Sequence, residues 1–408
     1  MNRKRILLIS RCPPYPLYLG DRLIVWHLVR ELEARGYEID LLAFANRPQD
    51  WDEIGRYDMY FGQVALFAEP AHRQWTYLQR ALLPAVRFPR RAEQSSAPEL
   101  WRAIERLTAE KRYDGAHLFG GVQVYEYAHA LGSLPALITP YESYSLYLRR
   151  VVEKPAPASP GLQGAMKGWS DWLQWQVARH FESWMFTPYQ RVVVVSEADR
   201  DELRAINPAL PVEVIPNGID LYDFRMPRHQ RRAKALLFVG NYEYAPNVDA
   251  ALLLARKILP QVRQQEPDAR LWLVGNAPPP ELQALAGEHI KVTGRVPDVR
   301  PYLARASVFA CPLRLGAGIK NKVLEALAMG LPVVATPLSV DGIHVQHERD
   351  VLIASTDQFV GSIVRLLRDA PLQQRLAEHG RVLIEREYSW NRAAEAYMSL
   401  YDEIFDIC

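Results

Sequence analysis

Residues 312 to 337 read PLRLGAGIKNKVLEALAMGLPVVATP: two glycines and two lysines stand ahead of an amphipathic run, with a Val-rich strand behind it. Around Gly316 and Gly318 a backbone can pass close to a ligand, because glycine carries no Cβ. A helix starting directly after them turns unpaired N–H groups and the positive end of its dipole toward whatever sits in front of it. Lys320 and Lys322 lie at that end, where the dipole disfavours each by about 0.3–1 kcal/mol unless an anion is present. Their placement therefore points to an anion, and a diphosphate would satisfy amides and lysines together. Glu325, about one turn into the same helix, suits two hydrogen bonds from a vicinal diol such as a ribose. The plainer alternative is a solvated glutamate stabilised by the helix N-terminus.

Working outward, the same strand-helix scheme repeats on both sides of this stretch. Before and after it come ALLFVG, the helical NVDAALLLARKILPQVRQQ, ARLWLVG, IKVTG, ASVFACP, PVVAT and DVLIAS, with most strands ending in Gly, Pro or Ser. The first half opens with a buried strand RKRILLIS, a proline-rich loop, a helix with Ile24, Leu28 and Leu32 at helical spacing, and Gly36 where a C-cap glycine belongs. Apolar strands QVALFA, GAHLF, LPALIT, RVVVVS and VEVIP follow at helix-length intervals. That alternation belongs to parallel sheets covered on both faces, so the fold class is α/β with two domains. The first is expected over 1–222 and the second over 235–385. A polar, basic linker lies between them at 223–234, and a C-terminal helix over 386–408 crosses back to the first domain. Ligands of such sheets bind beyond the carboxyl ends of the strands.

A chain of 408 residues fits two domains, and 49% hydrophobic and 24% charged residues are ordinary for a globular protein. The formal charge of +2 argues neither for nor against nucleic acid, which is not among the expected partners. Cys12, Cys311 and Cys408 have no metal-ligand spacing and suit a reducing cytoplasm. No apolar run approaches the roughly 18 residues of a membrane span. Asp50-x-Asp52 has the spacing of a metal-binding acid pair but sits where a helix cap is expected, and no G-x-S-x-G elbow is present. Residues 153–161, EKPAPASPG, suit a mobile loop. The run behind them carries Trp169, Trp172, Trp175 and Trp184 at helix-compatible spacing, either as a core helix or as a surface for a lipid-linked acceptor or a membrane interface.

GAGIKNKVLEALAMGLPVVATP resembles the nucleotide-sugar motif of GT-B glycosyltransferases, in particular the retaining family 4 and its Gly-x-Gly-Ile-(Arg/Lys)-x-Lys…Leu-Glu-Ala branch. RVVVVSEADRDEL, VIPNGID, FVGNYEYAPNVDA, LWLVG, VTGRVPDVRPYLARASVFACPL and YSWNRAAEAYMSLYDEI are similar to that family in the same order. The resemblance implies two Rossmann-like domains facing across a cleft, the second holding a nucleotide-diphospho-sugar donor and the first an acceptor. It implies that Glu325 binds the ribose, that Gly316, Gly318 and Ile319 lend backbone to the donor sugar or its phosphates, and that Gly20 lets the first domain approach the diphosphate. Val296 matches a position whose main chain reads the base, and His117 one that meets the transferred sugar, the plainer alternative for His117 being a packed, structural histidine. Lys320 and Lys322 would carry the diphosphate charge.

Three positions depart from the family pattern. The acid expected eight residues before Glu325 is Ala317; the usual Arg and Lys after the first strand of the second domain are absent from NYEYAPN; and Phe119 stands where a second histidine often follows His117. Retention in this family is generally attributed to same-face attack, the acceptor proton passing to the departing phosphate, with no metal, no cofactor and no side-chain base. The alternatives from other classes are a nucleotide-sugar epimerase of the same architecture and a catalytically silent scaffold. Arg80, Arg87, Arg90, Arg91, Arg149 and Arg150 put basic charge in the first domain, which with the Trp run suggests a lipid-linked saccharide acceptor at the inner face of a membrane.

Overall fold

The computed structural model describes residues 4–17, 20–71, 74–153, 162–225, 234–316 and 318–405. Ala317, Cys408, most of the tract at 153–161 and most of the expected linker lie outside the described residues.

Thirteen strands among the described residues form two sheets. The first holds β1 (Arg5–Ser10), β2 (Glu38–Ala45), β3 (Gln63–Ala68), β4 (Gly115–Phe119), β5 (Ala136–Tyr141), β6 (Arg191–Val194) and β7 (Val212–Val214), in the order β3-β2-β1-β4-β5-β6-β7. The second holds β8 (Ala235–Val239), β9 (Arg270–Val274), β10 (Ile290–Val292), β11 (Val308–Cys311), β12 (Val333–Ala335) and β13 (Leu352–Ile353), in the order β10-β9-β8-β11-β12-β13. Neighbouring strands in both sheets pair in parallel, so every connection must cross over, and helices fill the crossovers. Each apolar run read as a strand in the sequence is one. The strand order reverses between β1 and β4 in the first sheet and between β8 and β11 in the second, the two places where such sheets open a crevice for ligands.

The chain divides into two compact units, 1–216 with 390–408, and 217–389. In the first unit successive residues of β1 serve opposite faces: Leu7 and Ile9 join a core with Trp101, Ile104 and Phe186, whereas Ile6 and Leu8 join one with Leu28, Leu32 and Tyr401. The helix Trp390–Phe405 thus supplies one wall of the first unit's core. Gly115 makes this close approach feasible, since a Cβ there would stand 2.0 Å from the Phe405 ring. The opening helix, Gly20–Ala34, ends as its sequence suggested, with Gly36 at a φ of +87° donating its N–H to Glu33 O at 2.8 Å.

The Trp run is the helix Leu162–Met185, and its two ends differ in environment. Trp184 is buried, meets Phe88 edge-on and packs against a tilted Phe181 ring, whereas Trp169 and Trp172 are 66% and 45% exposed. The same helix is therefore a core element at one end and an apolar surface at the other. The Asp50-x-Asp52 pair is not a metal motif in shape: Asp50 is buried, both its oxygens take Arg22 guanidinium donors at 2.7 and 2.9 Å, and it accepts the Asn46 and Arg47 amides that open a short turn. Among the described residues no helix is long and apolar enough to cross a membrane.

Candidate active site

In the second unit the opening stretch of sequence follows β11 at the point of strand reversal. Its start is held from behind by the next strand-to-turn junction. Ser339 Oγ donates to Cys311 O at 2.6 Å and accepts Leu313 N at 3.1 Å, while Thr336 Oγ1 donates to Leu313 O at 2.6 Å. These buried hydroxyls satisfy the main chain that β11 leaves unpaired. Gly316 and Gly318 then adopt φ values of +125° and +65°, a region open to glycine and costly for most other residues. A Cβ on Gly316 would stand 3.3 Å from the Tyr244 hydroxyl, so the loop is also tightly walled.

Lys320 is the N-cap of the helix Asn321–Ala328, and its side chain makes no capping hydrogen bond to that helix. Its ammonium turns back to donate to Gly318 O, which places it as a brace across the glycine loop. Lys322 points elsewhere. Its ammonium donates to Asn247 Oδ1 and lies 4.9 Å from the centre of the Phe238 ring. No carboxylate pairs with it among the described residues, and burial drops its pKa to about 8. One helical turn on, Glu325 is half-buried, and its carboxylate accepts no hydrogen bond from the described residues. Burial raises that carboxyl to about 7 against the opposing pull of Lys322. Among the described residues, an ammonium held by a neutral amide and a carboxylate without hydrogen-bond donors thus stand side by side at a sheet's switch point, an arrangement chemically able to take an anion joined to a diol.

The structure thus gathers Gly316, Gly318, Ile319, Lys320, Lys322 and Glu325 on one loop and helix start, with Ile319 buried beneath them. Val296 lies four residues beyond the end of β10, in the turn whose Gly294 O accepts the Gly275 amide at 3.2 Å. Gly20 begins the first helix of the other unit. His117 must be withdrawn as a sugar contact. It is fully buried in β4, with Nδ1 hydrogen-bonded to the Tyr401 hydroxyl at 2.7 Å and Nε2 to Thr139 Oγ1 at 2.8 Å. Both ring nitrogens are satisfied by neutral partners, and burial holds its pKa well below the usual histidine value. It is a structural imidazole, packed among the rings of Phe119, Tyr397 and Tyr401.

Sequence reasoning read NYEYAPN only as the loss of an Arg and a Lys. The structure puts that segment in the site: Asn247 holds Lys322, and Asn241 accepts Asn276 Nδ2 at 3.2 Å. The two asparagines of the motif were visible in the sequence, but their link to Lys322 was not.

A family model described as "Glycosyltransferase Family 4" matches residues 23–222, and one described as "Glycosyl transferases group 1" matches 233–369. The chain belongs to the group 1, family 4-like glycosyltransferases. Among the curated members, it is 30% identical over 231 residues to the phosphatidyl-myo-inositol mannosyltransferase of Mycobacterium leprae, a match covering 52% of this chain and 59% of that one. The chain spans about half the length of the first curated relatives it matches. In fold, this glycosyltransferase chain is similar to the sucrose-phosphate synthase of Thermosynechococcus elongatus, with a TM-score of 0.73 at 18% identity and 100% of both chains covered. It is also similar to Anabaena HepE, solved in complex with UDP and glucose, with a TM-score of 0.66 at 13% identity, covering 98% and 99% of the two chains. Both neighbours place the chain in the GT-B fold.

Proposed function

We propose that this chain transfers a sugar from a nucleotide-diphospho-sugar to a saccharide acceptor, with retention at the anomeric carbon and without a metal. The observation that carries this reading is that Lys322, a half-buried ammonium held by the Asn247 amide, stands one helical turn from Glu325, a half-buried carboxylate that accepts no hydrogen bond from the described residues. The diphosphate meets Lys322 and the helix start, and the ribose hydroxyls meet Glu325. As the glycosidic bond to the diphosphate breaks, negative charge grows on the departing phosphate, and a preorganised ammonium and helix dipole stabilise it. The acceptor oxygen attacks from the face the phosphate is leaving and passes its proton to that phosphate. The complex of HepE with UDP and glucose supports a donor of this class.

The reading extends to a lipid-linked acceptor met at the cytoplasmic face of a membrane. Ten of the sixteen exposed large apolar side chains among the described residues fall in two short segments of the first unit: Trp75, Leu78, Leu82, Leu83 and Val86, and Met166, Trp169, Trp172, Leu173 and Val177. Their spacing lines helix faces with apolar groups, while Arg87, Arg90, Arg91, Lys167 and Arg179 flank them and residues 74–91 contain no acid. A cavity of about 500 Å³ lined by Gln79, Arg80, Leu83, Phe88, Arg90 and Gln94 opens in the same region and offers a mixed polar and apolar lining to a glycolipid head. The name of the M. leprae relative, which acts on a phosphatidyl-inositol, agrees with this class of acceptor.

The test is a product screen with UDP-, GDP-, ADP- and dTDP-sugars, each with EDTA or Mg²⁺, in the presence of anionic vesicles carrying a glycolipid acceptor. Transfer from one donor, equal in EDTA, with the anomeric configuration kept, is the expected result. Isomerised donor would establish an epimerase; binding of a donor without turnover would establish a silent scaffold. Equal partitioning onto anionic and neutral vesicles would remove the membrane part alone.

A further inference from the structure

Asn247 is 5% exposed and sits in the first turn of the helix Ala245–Leu253. Both ends of its carboxamide are committed. Nδ2 donates to Asn241 O at 2.7 Å, which fixes the plane and sense of the amide, and Oδ1 accepts from the Lys322 ammonium. The pocket for this amide is made by glycines: a Cβ on Gly240 would lie 3.0 Å from Asn247 Cγ, and one on Gly275 would lie 1.7 Å from Gly240 O. The ends of β8 and β9 are thereby held together, and Asn241 ties them further through Asn276. The arrangement fixes an ammonium in space with a neutral acceptor.

The choice of residue type matters. A carboxylate at 247 would hold Lys322 at least as firmly, but it would cancel the charge. An amide orients the ammonium and leaves its charge for an incoming anion. We infer that Asn247 is a positioning residue that aims Lys322 at the donor diphosphate, making Lys322 the principal counter-charge while Lys320 braces the glycine loop. This inference rests on the donor reading proposed above.

The two can be separated by calorimetry with UDP and GDP and with the matching nucleosides uridine and guanosine, on the wild type, Asn247→Ala, Asn247→Asp, Lys322→Asn and the double exchange Asn247→Lys with Lys322→Asn. In the wild type one nucleoside diphosphate binds. Asn247→Ala weakens it about tenfold, the loss of one well-aimed charge-assisted contact, and leaves the nucleoside unchanged. Asn247→Asp weakens the diphosphate by more than Ala does, although it retains a partner for Lys322. The double exchange, which returns an ammonium to the other side of the same contact, recovers about tenfold over Lys322→Asn. Wild-type protein that binds neither UDP nor GDP, and neither ADP nor dTDP in the same assay, refutes the donor reading. Wild-type binding with Asn247→Asp equal to wild type, with nucleoside and diphosphate weakened together, or with no recovery in the double exchange overturns the positioning role and leaves the donor reading standing.

Discussion

Donor affinity should follow a narrow bell as pH is varied. Glu325 titrates near 7 because burial penalises its charge, and it must be ionised to accept hydrogen bonds from both ribose hydroxyls. A carboxyl with that pKa is about nine-tenths ionised at pH 8 and about one-tenth at pH 6, so affinity for a nucleotide-diphospho-sugar falls about tenfold between them. Lys322, near 8, must keep its proton, and by pH 9 only about one-tenth remains protonated, which removes another factor of about ten on the alkaline side. The result is a narrow bell between two groups that sense each other, so its limbs belong to the pair. The nucleotide-sugar is the ligand to use, because its diphosphate is a diester with no proton to lose in this range. Titration calorimetry at half-unit intervals from pH 5.5 to 9.5 reads the bell directly. Glu325→Gln lowers the maximum and abolishes the acid limb. Lys322→Arg, whose guanidinium stays charged throughout, abolishes the alkaline limb. An affinity that is flat across this range in the wild type, or an acid limb that survives Glu325→Gln, would refute the assignment of the two groups.

Other consequences are separate from binding. Because Glu325 keeps its proton up to about pH 7 in the folded chain but sheds it near the ordinary value when unfolded, its stabilising share is complete in acid and is lost as pH rises through 7. The difference in melting temperature between the ligand-free wild type and Glu325→Gln should therefore change between pH 5 and 8, as thermal scans in matched buffers will show. Glu182, also raised to about 7 by burial, accepts Ser143 Oγ at 2.9 Å and the Tyr144 amide at 2.7 Å and bonds the Ser145 hydroxyl. Glu182→Ala orphans these buried donors at the start of the helix Tyr144–Glu153, and chemical denaturation should register a loss on the order of 2–3 kcal/mol. His117→Phe breaks two buried hydrogen bonds, and the expected outcome is a stability loss of about 1–3 kcal/mol with donor KM unchanged; a raised KM at intact stability would restore His117 to the site. Gly275→Ala forces apart the ends of β8 and β9 and should cost on the order of 2 kcal/mol or more together with donor affinity, measured by melting and calorimetry.

The fold was legible because parallel strands are buried on both faces and stand out as short apolar runs, as in ALLFV and RVVV. The candidate site was legible for a local reason: its glycines, lysines and glutamate lie within ten residues of one another. What escaped the sequence depends on contacts between distant residues. His117 looks like a strand-end ligand until Tyr401, 284 residues later, fills one of its nitrogens. Asn247 looks like a missing lysine until Lys322, 75 residues later, reaches it. The Trp helix resisted a single assignment because its sequence pattern is apolar along its length, and only packing against Phe88 and Phe181 distinguishes its buried end from its exposed one.

The central claim is that Lys322 and Glu325 together receive a nucleoside diphosphate. A crystal structure of the protein with the nucleoside diphosphate that raises its melting temperature most tests this directly. The account predicts a phosphate oxygen within hydrogen-bond distance of Lys322 Nζ, with Asn247 Oδ1 still on that ammonium, and both ribose hydroxyls on the Glu325 carboxylate. A nucleotide bound elsewhere, or bound here with its ribose turned away from Glu325, would contradict it.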